Sequence, residues 1–184
     1  MTRLILPDVT RFADWHDLCT ELMLEAEVPH GSGLWEVDAG ITEEGLAQHV
    51  ATSIRYMDTS WPAPAGKVHA TQYWITDDDG ALVGFLHMRH TLNDYLLDRG
   101  GHVGYGIRPT RRREGHARRA LALALEALRD LGVDRALVTC DDDNEASART
   151  IRSCGGVLED VRDGTCRYWI DLRPAEGDGS TGQK

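Results

Sequence analysis

The 184-residue sequence lacks long hydrophobic runs and contains few cysteines and aromatic residues. Its four cysteines, Cys19, Cys140, Cys154 and Cys166, are widely scattered. They show neither paired metal-ligand spacing nor a dense disulfide framework, which fits a reducing compartment. No apolar run approaches the ~18 residues needed to span a bilayer, and no charged start followed by an apolar run marks a signal peptide. We therefore expect a cytoplasmic protein that does not associate with membranes.

Basic residues are also in the minority, with 20 Lys and Arg against 30 Asp and Glu and a formal net charge of -10. Those present concentrate at 108–119. A general nucleic-acid-binding protein needs a broad basic face, so this layout argues against such a partner. The basic segment suits one anionic ligand, and the net negative charge weakly favours a cationic amine substrate. The net negative charge is equally explained by a need for solubility alone.

The length and the hydrophobic content of 41% predict one core, and hence a single domain over 1–173. The tail at 174–184 is rich in glycine and short of apolar residues, so we expect disorder there. Residues 92–97 fit a short helix or a loop. Apolar patterning predicts helices at 12–24, 42–56 and 117–131, and strands at 4–6, 68–75, 82–90, 103–107, 134–140, 157–161 and 167–170.

One basic segment containing a glycine separates a predicted strand from a predicted helix. It reads Arg112-Arg113-Glu114-Gly115-His116-Ala117. Gly115 lets the backbone come close to a ligand, and the first-turn amides of the helix are unpaired donors at the positive end of its dipole. The segment predicts a site for an anion such as a pyrophosphate. An ordinary basic helix N-terminus is the alternative interpretation.

A second unit follows this helix. The predicted strand at 134–140 makes strand, helix and strand a right-handed crossover with parallel strands. Asn144, Ser147 and Ile151 then lie on a short helix that closes at Gly155-Gly156.

These two motifs, R-x-x-G-x-A at Arg112, Gly115 and Ala117 and the Asn144 helix, resemble the GNAT superfamily of acyl-CoA N-acyltransferases. The resemblance covers about 72–170 and is nearest to a group of predicted bacterial acetyltransferases of undefined substrate, on the segments 89–97 and 100–105. It implies a mixed α/β fold: a twisted, mostly antiparallel sheet flanked by helices, with a central splayed parallel strand pair.

The resemblance also implies acetyl-CoA as co-substrate and no metal. Arg112 and its neighbours would hold the pyrophosphate, while Ile107 and Asn144 would contact the pantetheine arm. The expected cofactor-binding residues are Ile107, Arg108, Arg112, Arg113, Glu114, Gly115, His116, Ala117, Arg118, Asn144 and Ser147.

For catalysis, the resemblance makes the backbone amide of Ile107 the donor to the developing oxyanion. His102 is the preferred base, because it occupies the strand position where many members carry a Glu; a structural histidine bonded to the loop at 93–94 is the alternative. Many members carry a Tyr acid where this chain has Ile151. Ser147, Cys154, Tyr168 or water would replace it.

Two metal interpretations are rejected. His87 and His90, three apart on a strand, point to opposite faces and cannot grip one ion. The acidic turn Asp77-Asp78-Asp79-Gly80 lacks the distal Glu and the ligand spacing of a calcium loop.

The expected acceptor is a primary amine on a small molecule, attacked directly in a ternary complex, and a homodimer is expected from the resemblance. Expected acceptor contacts are Trp35, Glu36, His90 and Asn93. A closed pocket between Trp35 and Trp61 would favour small molecules, and an open groove would favour a protein or peptide acceptor. The missing Tyr leaves open a non-catalytic acetyl-CoA-binding module, whereas the absence of Gly-Lys-Ser or Gly-Lys-Thr argues against a nucleotide-binding domain.

Overall fold

A computed structural model describes residues 1–173 and contains one seven-stranded mixed sheet. Its strand order is β1-β2-β3-β4-β5-β7-β6. The strands are β1 (Arg3–Ile5), β2 (Ala70–Thr76), β3 (Leu82–Arg89), β4 (Val103–Ile107), β5 (Arg135–Asp141), β6 (Val157–Arg162) and β7 (Thr165–Asp171).

Helices cover both faces of the sheet. The two helices that come first in the chain pack with Trp74 and Phe85 into one core. The last two helices pack with Leu86 and Val103 into another. This division arises because alternate residues of β3 point to opposite faces. The helices are α1 (Phe12–Leu22), α2 (Glu43–Met57), α3 (His116–Asp130) and α4 (Glu145–Ser153).

The helix α3 is amphipathic and its ends carry the expected signals. Ala120, Leu121, Ala124 and Leu128 are buried at the three-and-four spacing of one face. Beyond its last turn, Gly132 adopts a left-handed conformation with φ +82°, which ends the helix. The apolar stripe fixes which face meets the sheet and so aims the N-terminus of α3 at the end of β4.

The sheet is antiparallel except for β4 and β5, which are parallel as predicted. These two strands pair at Val103 and Val138, although β4 continues to Ile107. A cleft therefore opens between β4 and β5 beyond Val103. The mixed fold with a splayed central pair is confirmed.

Several predicted boundaries shift by one or two residues. The second strand begins at Ala70 rather than 68, and the segment predicted as a short helix or loop at 92–97 leads into one turn of π-helix at Leu96–Gly100. The predicted tail at 174–184 lies outside the described residues. Within 1–173, no helix is long and apolar enough to cross a bilayer.

Candidate active site

The hydrogen-bond register of β4 directs two backbone amides into the cleft. The Arg89 amide donates to the His102 carbonyl at 2.8 Å, and the Arg108 amide donates to the Val83 carbonyl at 2.9 Å. In an antiparallel ladder, bonded and non-bonded pairs alternate, so Tyr105 and Ile107 belong to non-bonded pairs with β3. Their N–H groups point away from β3, toward the side where β5 has parted.

Three cavities lie around the cleft, and residues of β4 line two of them. The cradle cavity, of about 1080 Å³, lies between the N-terminus of α3 and α4. The cleft cavity, of about 440 Å³, lies where β4 and β5 part. The α2 cavity, of about 380 Å³, lies between α2 and the strands β2 and β3.

Shared lining residues join the three cavities into a series. Tyr105 and Ser147 line both the cradle and the cleft cavity. Trp35, Arg89 and Tyr95 line both the cleft and the α2 cavity. The series therefore passes from the α3 side of the sheet to the α2 side through the gap between β4 and β5.

The start of α3 is open to an anion. Gly115 is the N-cap with φ +85°, and a Cβ built on it would meet no atom within 4 Å. No side chain caps the helix, so the first-turn amides of His116, Ala117 and Arg118 have no intrahelical acceptor. An approaching phosphate would find both donors and space.

The arginines around this point divide into two groups. Arg108 pairs with Asp17 and Glu21, Arg111 with Asp77 and Glu114, and Arg112 with Glu25. Three others line the cradle cavity without an ion pair to any described residue: Arg113, Arg118 and Arg149.

Several residues predicted to bind the cofactor form ion pairs or hydrogen bonds with other residues of the protein. Arg108 lines none of the three cavities, and its guanidinium holds α1 to the end of β4, so its predicted cofactor contact is not supported. Glu114 accepts bonds from Arg111, which makes a direct contact with an anionic ligand unfavourable. His116 has Nδ1 2.9 Å from the Thr2 hydroxyl and Nε2 3.2 Å from Glu114. Its backbone amide remains available.

Asn144 and Ser147 keep their predicted place beside the cavities. The Asn144 side chain caps α4 by accepting a bond from the Ser147 amide at 3.0 Å. The Asn144 Nδ2 donates to no described residue, and both residues line the cradle and cleft cavities. The capping bond explains why an Asn is found here, while the free amide nitrogen can serve a ligand.

A tyrosine that the sequence did not single out reaches α4 from β4. The Tyr105 hydroxyl lies 2.9 Å from the Ser147 hydroxyl. Burial raises the pKa of Tyr105 to about 12, so the phenol is protonated at neutral pH. Ile151, at the usual Tyr position, is fully buried in the core. Tyr168, a predicted acid, is buried away from the three cavities, with its hydroxyl 3.4 Å from Arg152.

His102 occupies a structural position rather than that of a base. Its Nδ1 accepts a hydrogen bond from the Leu137 amide at 2.9 Å, and the side chain is only 5% exposed. Burial lowers the pKa of His102 to about 4. The residue lines none of the three cavities, and the lone pair that a base would use is already engaged. The structural alternative is therefore the better account, although the partner is Leu137 and not the 93–94 loop.

Another histidine does lie beside the cleft. The loop carrying His30 crosses β4 closely, since a Cβ on Gly106 would lie 2.7 Å from the His30 carbonyl and one on Gly31 2.6 Å from the Gly104 carbonyl. The exposed His30 lines both the cradle and the cleft cavity. Alternating glycines in β4 were the sequence signal for this close approach.

The predicted acceptor contacts are only partly brought together. Trp35 lines the α2 and cleft cavities and packs on His87 with ring centroids 5.3 Å apart. Asn93 lines the α2 cavity, but its side chain bonds Gly66 and Leu96. His90 bonds Thr71 and lines none of the three cavities. The side chain of Glu36 lies outside what the structure describes.

Sequence comparison identifies the class to which this fold and site belong. The sequence model described as acetyltransferase (GNAT) domain matches residues 3–157. The chain therefore belongs to the GNAT acetyltransferase family, whose members transfer acyl groups from acyl-CoA to amines. No curated protein matches the sequence.

Solved structures with the same fold act on different acceptors. The microcin C7 self-immunity acetyltransferase MccE, in complex with acetyl-CoA and AMP, is 16% identical with a TM-score of 0.65 over 92% of each chain. RimL, a ribosomal alpha-N-protein acetyltransferase, is 17% identical with a TM-score of 0.62 over 92% of this chain and 90% of its own. A chimera of the spermidine N-acetyltransferase SpeG from Vibrio cholerae and hSSAT is 17% identical with a TM-score of 0.61, over 93% and 95%. At such identities the likeness establishes the fold alone.

Proposed function

We propose that this acetyltransferase transfers the acetyl group of acetyl-CoA to the primary amine of a small molecule, by direct attack in a ternary complex. The series of three adjoining cavities carries this proposal. It supplies separate places for a phosphate-bearing donor and for an acceptor, which meet where β4 and β5 part.

The cradle cavity suits the anionic end of acetyl-CoA. Uncapped amides at the start of α3 supply donors, and the arginines without ion pairs supply charge: Arg113, Arg118 and Arg149. The ion-paired Arg112 instead fixes the loop, because its Nε donates to the Ile107 carbonyl at 3.0 Å while its other nitrogens bond Glu25.

The cleft supplies the groups that acetyl transfer needs. The amine nitrogen attacks the thioester carbonyl carbon, the C–S bond breaks, and the amide of Ile107 stabilises the negative charge on the oxygen. His30 takes the proton released by the amine. Tyr105, hydrogen-bonded to Ser147, returns a proton to the departing thiolate. No covalent enzyme intermediate is required.

The α2 cavity supports a small acceptor rather than a protein segment. Its volume of about 380 Å³ lies at the low end of the range typical of small-molecule sites. The side chains of Trp35, Tyr56 and Tyr95 line it between α2 and the π-helical turn. Enclosure by several elements favours a compact molecule over an extended peptide.

The test is thiol release from acetyl-CoA with a panel of amino acids, polyamines, aminoglycosides and peptides with free N-termini. Release with one class of small amine, and mass spectrometry showing a gain of one acetyl group, would support the proposal. Release confined to peptides would replace it with the protein-acceptor alternative. If acetyl-CoA binds but no amine provokes release, the chain is a binding module.

A further inference from the structure

The α2 cavity contains a half-buried arginine without a described acidic partner. Arg89 lies at the end of β3, and its Nη1 donates to the carbonyls of Gly100 at 3.0 Å and Gly101 at 3.3 Å. Its Nε and Nη2 donate to no described residue, and no described carboxylate forms an ion pair with it. Burial lowers the pKa of Arg89 to about 10, so the side chain still carries its charge at neutral pH.

No Asp or Glu is among the described lining residues of the α2 cavity, whereas two histidines are. Of these histidines, His49 leaves Nε2 and His87 leaves Nδ1 buried without a hydrogen-bond partner. A partly buried charge without a counter-ion is costly, and buried polar atoms are normally satisfied. The described lining of the cavity therefore has the composition of a site for an anionic ligand.

The position of Arg89 relates this ligand to the reaction. Arg89 lines both the α2 cavity and the cleft cavity, so a group bound to it lies beside the place where acetyl transfer is proposed. A planar guanidinium with two unused donor nitrogens matches the two oxygens of a carboxylate. A polyamine, by contrast, would bring further positive charge next to Arg89.

We propose that Arg89 binds a carboxylate of the acceptor, so that the acceptor is an amine that also carries a carboxylate, such as an amino acid. This inference rests on the proposed function, since it specifies the substrate class of the same site. One other source of the same chemistry is a carboxylate at the far end of the acyl chain, as in succinyl-CoA.

Matched amine pairs that differ only by the carboxylate test the inference. Each amino acid is compared with its decarboxylated amine: lysine with cadaverine, tyrosine with tyramine and phenylalanine with phenethylamine. A hydrogen-bonded ion pair to Arg89 predicts that kcat/KM with acetyl-CoA is about 10- to 100-fold higher for the preferred amino acid than for its amine. Equal values, or a preference for the amines, would overturn the inference while leaving the proposed function intact.

Substitution of Arg89 tests whether this residue is responsible. Arg89→Met removes the charge and should abolish the preference within the pair, chiefly through KM for the amino acid. Arg89→Lys keeps the charge without the paired donors and should retain part of the preference. Arg129→Met, on the exposed side of the last turn of α3, controls for the loss of one positive charge. Thermal unfolding of each variant identifies any that fails to fold.

Two further measurements separate the possible failures. If succinyl-CoA is used with amines that lack a carboxylate, and only while Arg89 is present, the carboxylate belongs to the acyl chain and the acceptor assignment is wrong. Calorimetric titration of amino acids into the protein saturated with CoA is independent of turnover. Binding of amino acids but not of their amines would support the inference even if no acetyl transfer were found; binding of neither would overturn it.

Discussion

Tyr105 shows how a proton donor can be supplied from a different element. Its hydroxyl reaches Ser147 on the helix that usually carries the acid, and it lines the cleft. We expect Tyr105→Phe to lower kcat by about 10- to 100-fold, because the thiolate would leave without a positioned proton. KM for acetyl-CoA should change little. Steady-state kinetics over a range of pH measures both.

Tyr168→Phe is the matched control for that experiment. It also removes one phenol hydroxyl, but from a buried residue outside the three cavities. An equal loss of kcat in both variants would contradict the assignment of Tyr105 and point to a general effect on packing.

Substitution of His30 should mainly lower activity, whereas substitution of His102 should mainly lower stability. His30→Ala should lower kcat by up to about 10²-fold with little change in stability, because His30 is an exposed side chain at the cleft. His102→Ala should lower the free energy of unfolding by about 2–4 kcal/mol, because it leaves the Leu137 amide unpaired and opens a hole. Urea unfolding measures the stability of each variant, and kcat measured below the melting temperature of both reports its activity. A folded His102→Ala enzyme with normal stability and no activity would restore His102 as the base.

For single residues, the sequence predicts features that depend on neighbours in the chain, and it misses contacts between residues that are far apart in the chain. The sequence placed Asn144 and Gly115 at the starts of helices, and both are N-caps in the structure. The contact of Tyr105 with Ser147, 42 positions away, depends on how α4 lies on the sheet. The spacing along the chain contains no signal for it, and the hydrogen bond of His102 was not predicted for the same reason: its partner, Leu137, is on another strand.

Among the elements, the N-terminus of α3 permits the cleanest test. Gly115→Ala should raise KM for acetyl-CoA at least about tenfold, because the added methyl group would project into the open space expected to hold phosphate. It should also cost about 1–2 kcal/mol of stability, since φ is +85°. Kinetics and urea unfolding of the same preparation provide both numbers.

The other end of α3 provides the control. Gly132 has φ +82°, and a Cβ there also meets nothing within 4 Å. Gly132→Ala should therefore cause a similar loss of stability without affecting KM for acetyl-CoA. If both variants weaken the use of acetyl-CoA equally, backbone strain and not the cradle explains the effect.

The elements themselves were largely predictable. Apolar spacing located α3, and the order strand, helix, strand correctly predicted that β4 and β5 are parallel. The register of that pair was beyond the sequence, because the end of β4 is contacted from outside the strand by the loop around His30 and by Arg112, whose Nε donates to the Ile107 carbonyl. The sequence was similarly ambiguous about which charged side chains are available to a ligand. The cluster of arginines was visible, but the division into ion-paired and unpaired members required the positions of acidic residues on α1 and in the adjacent loops.

On the scale of the whole molecule, the candidate site uses both faces of the sheet. The cradle cavity belongs to the side of α3 and α4, and the α2 cavity to the opposite side. A molecule bound on one face can meet a molecule on the other only where the sheet opens, beyond Val103. In the proposed function, the oxyanion donor and the proton donor accordingly both come from β4, which borders the opening. The expected homodimer stays a prediction.

Three histidines that are largely shielded from water should make the stability of the whole molecule sensitive to acid. Burial lowers the pKa of His49 to about 4, of His87 to about 3 and of His102 to about 4, from an ordinary value of about 6.5. Between pH 6.5 and 4 the unfolded chain therefore binds protons that the folded chain does not. Each such proton lowers the free energy of unfolding by about 1.4 kcal/mol per pH unit as the pH falls.

Urea unfolding at pH 8, 7, 6 and 5 measures this effect before most carboxylates titrate. We expect a plateau above about pH 7 and a decline that steepens toward pH 5, because the stabilisation from neutral histidines is complete only above the unfolded-state pKa. His87→Gln removes one of the three groups and should make the decline shallower, whatever its effect on stability at pH 8. A free energy of unfolding that stays constant from pH 8 to 5 would mean that these side chains reach solvent and protonate in the folded protein.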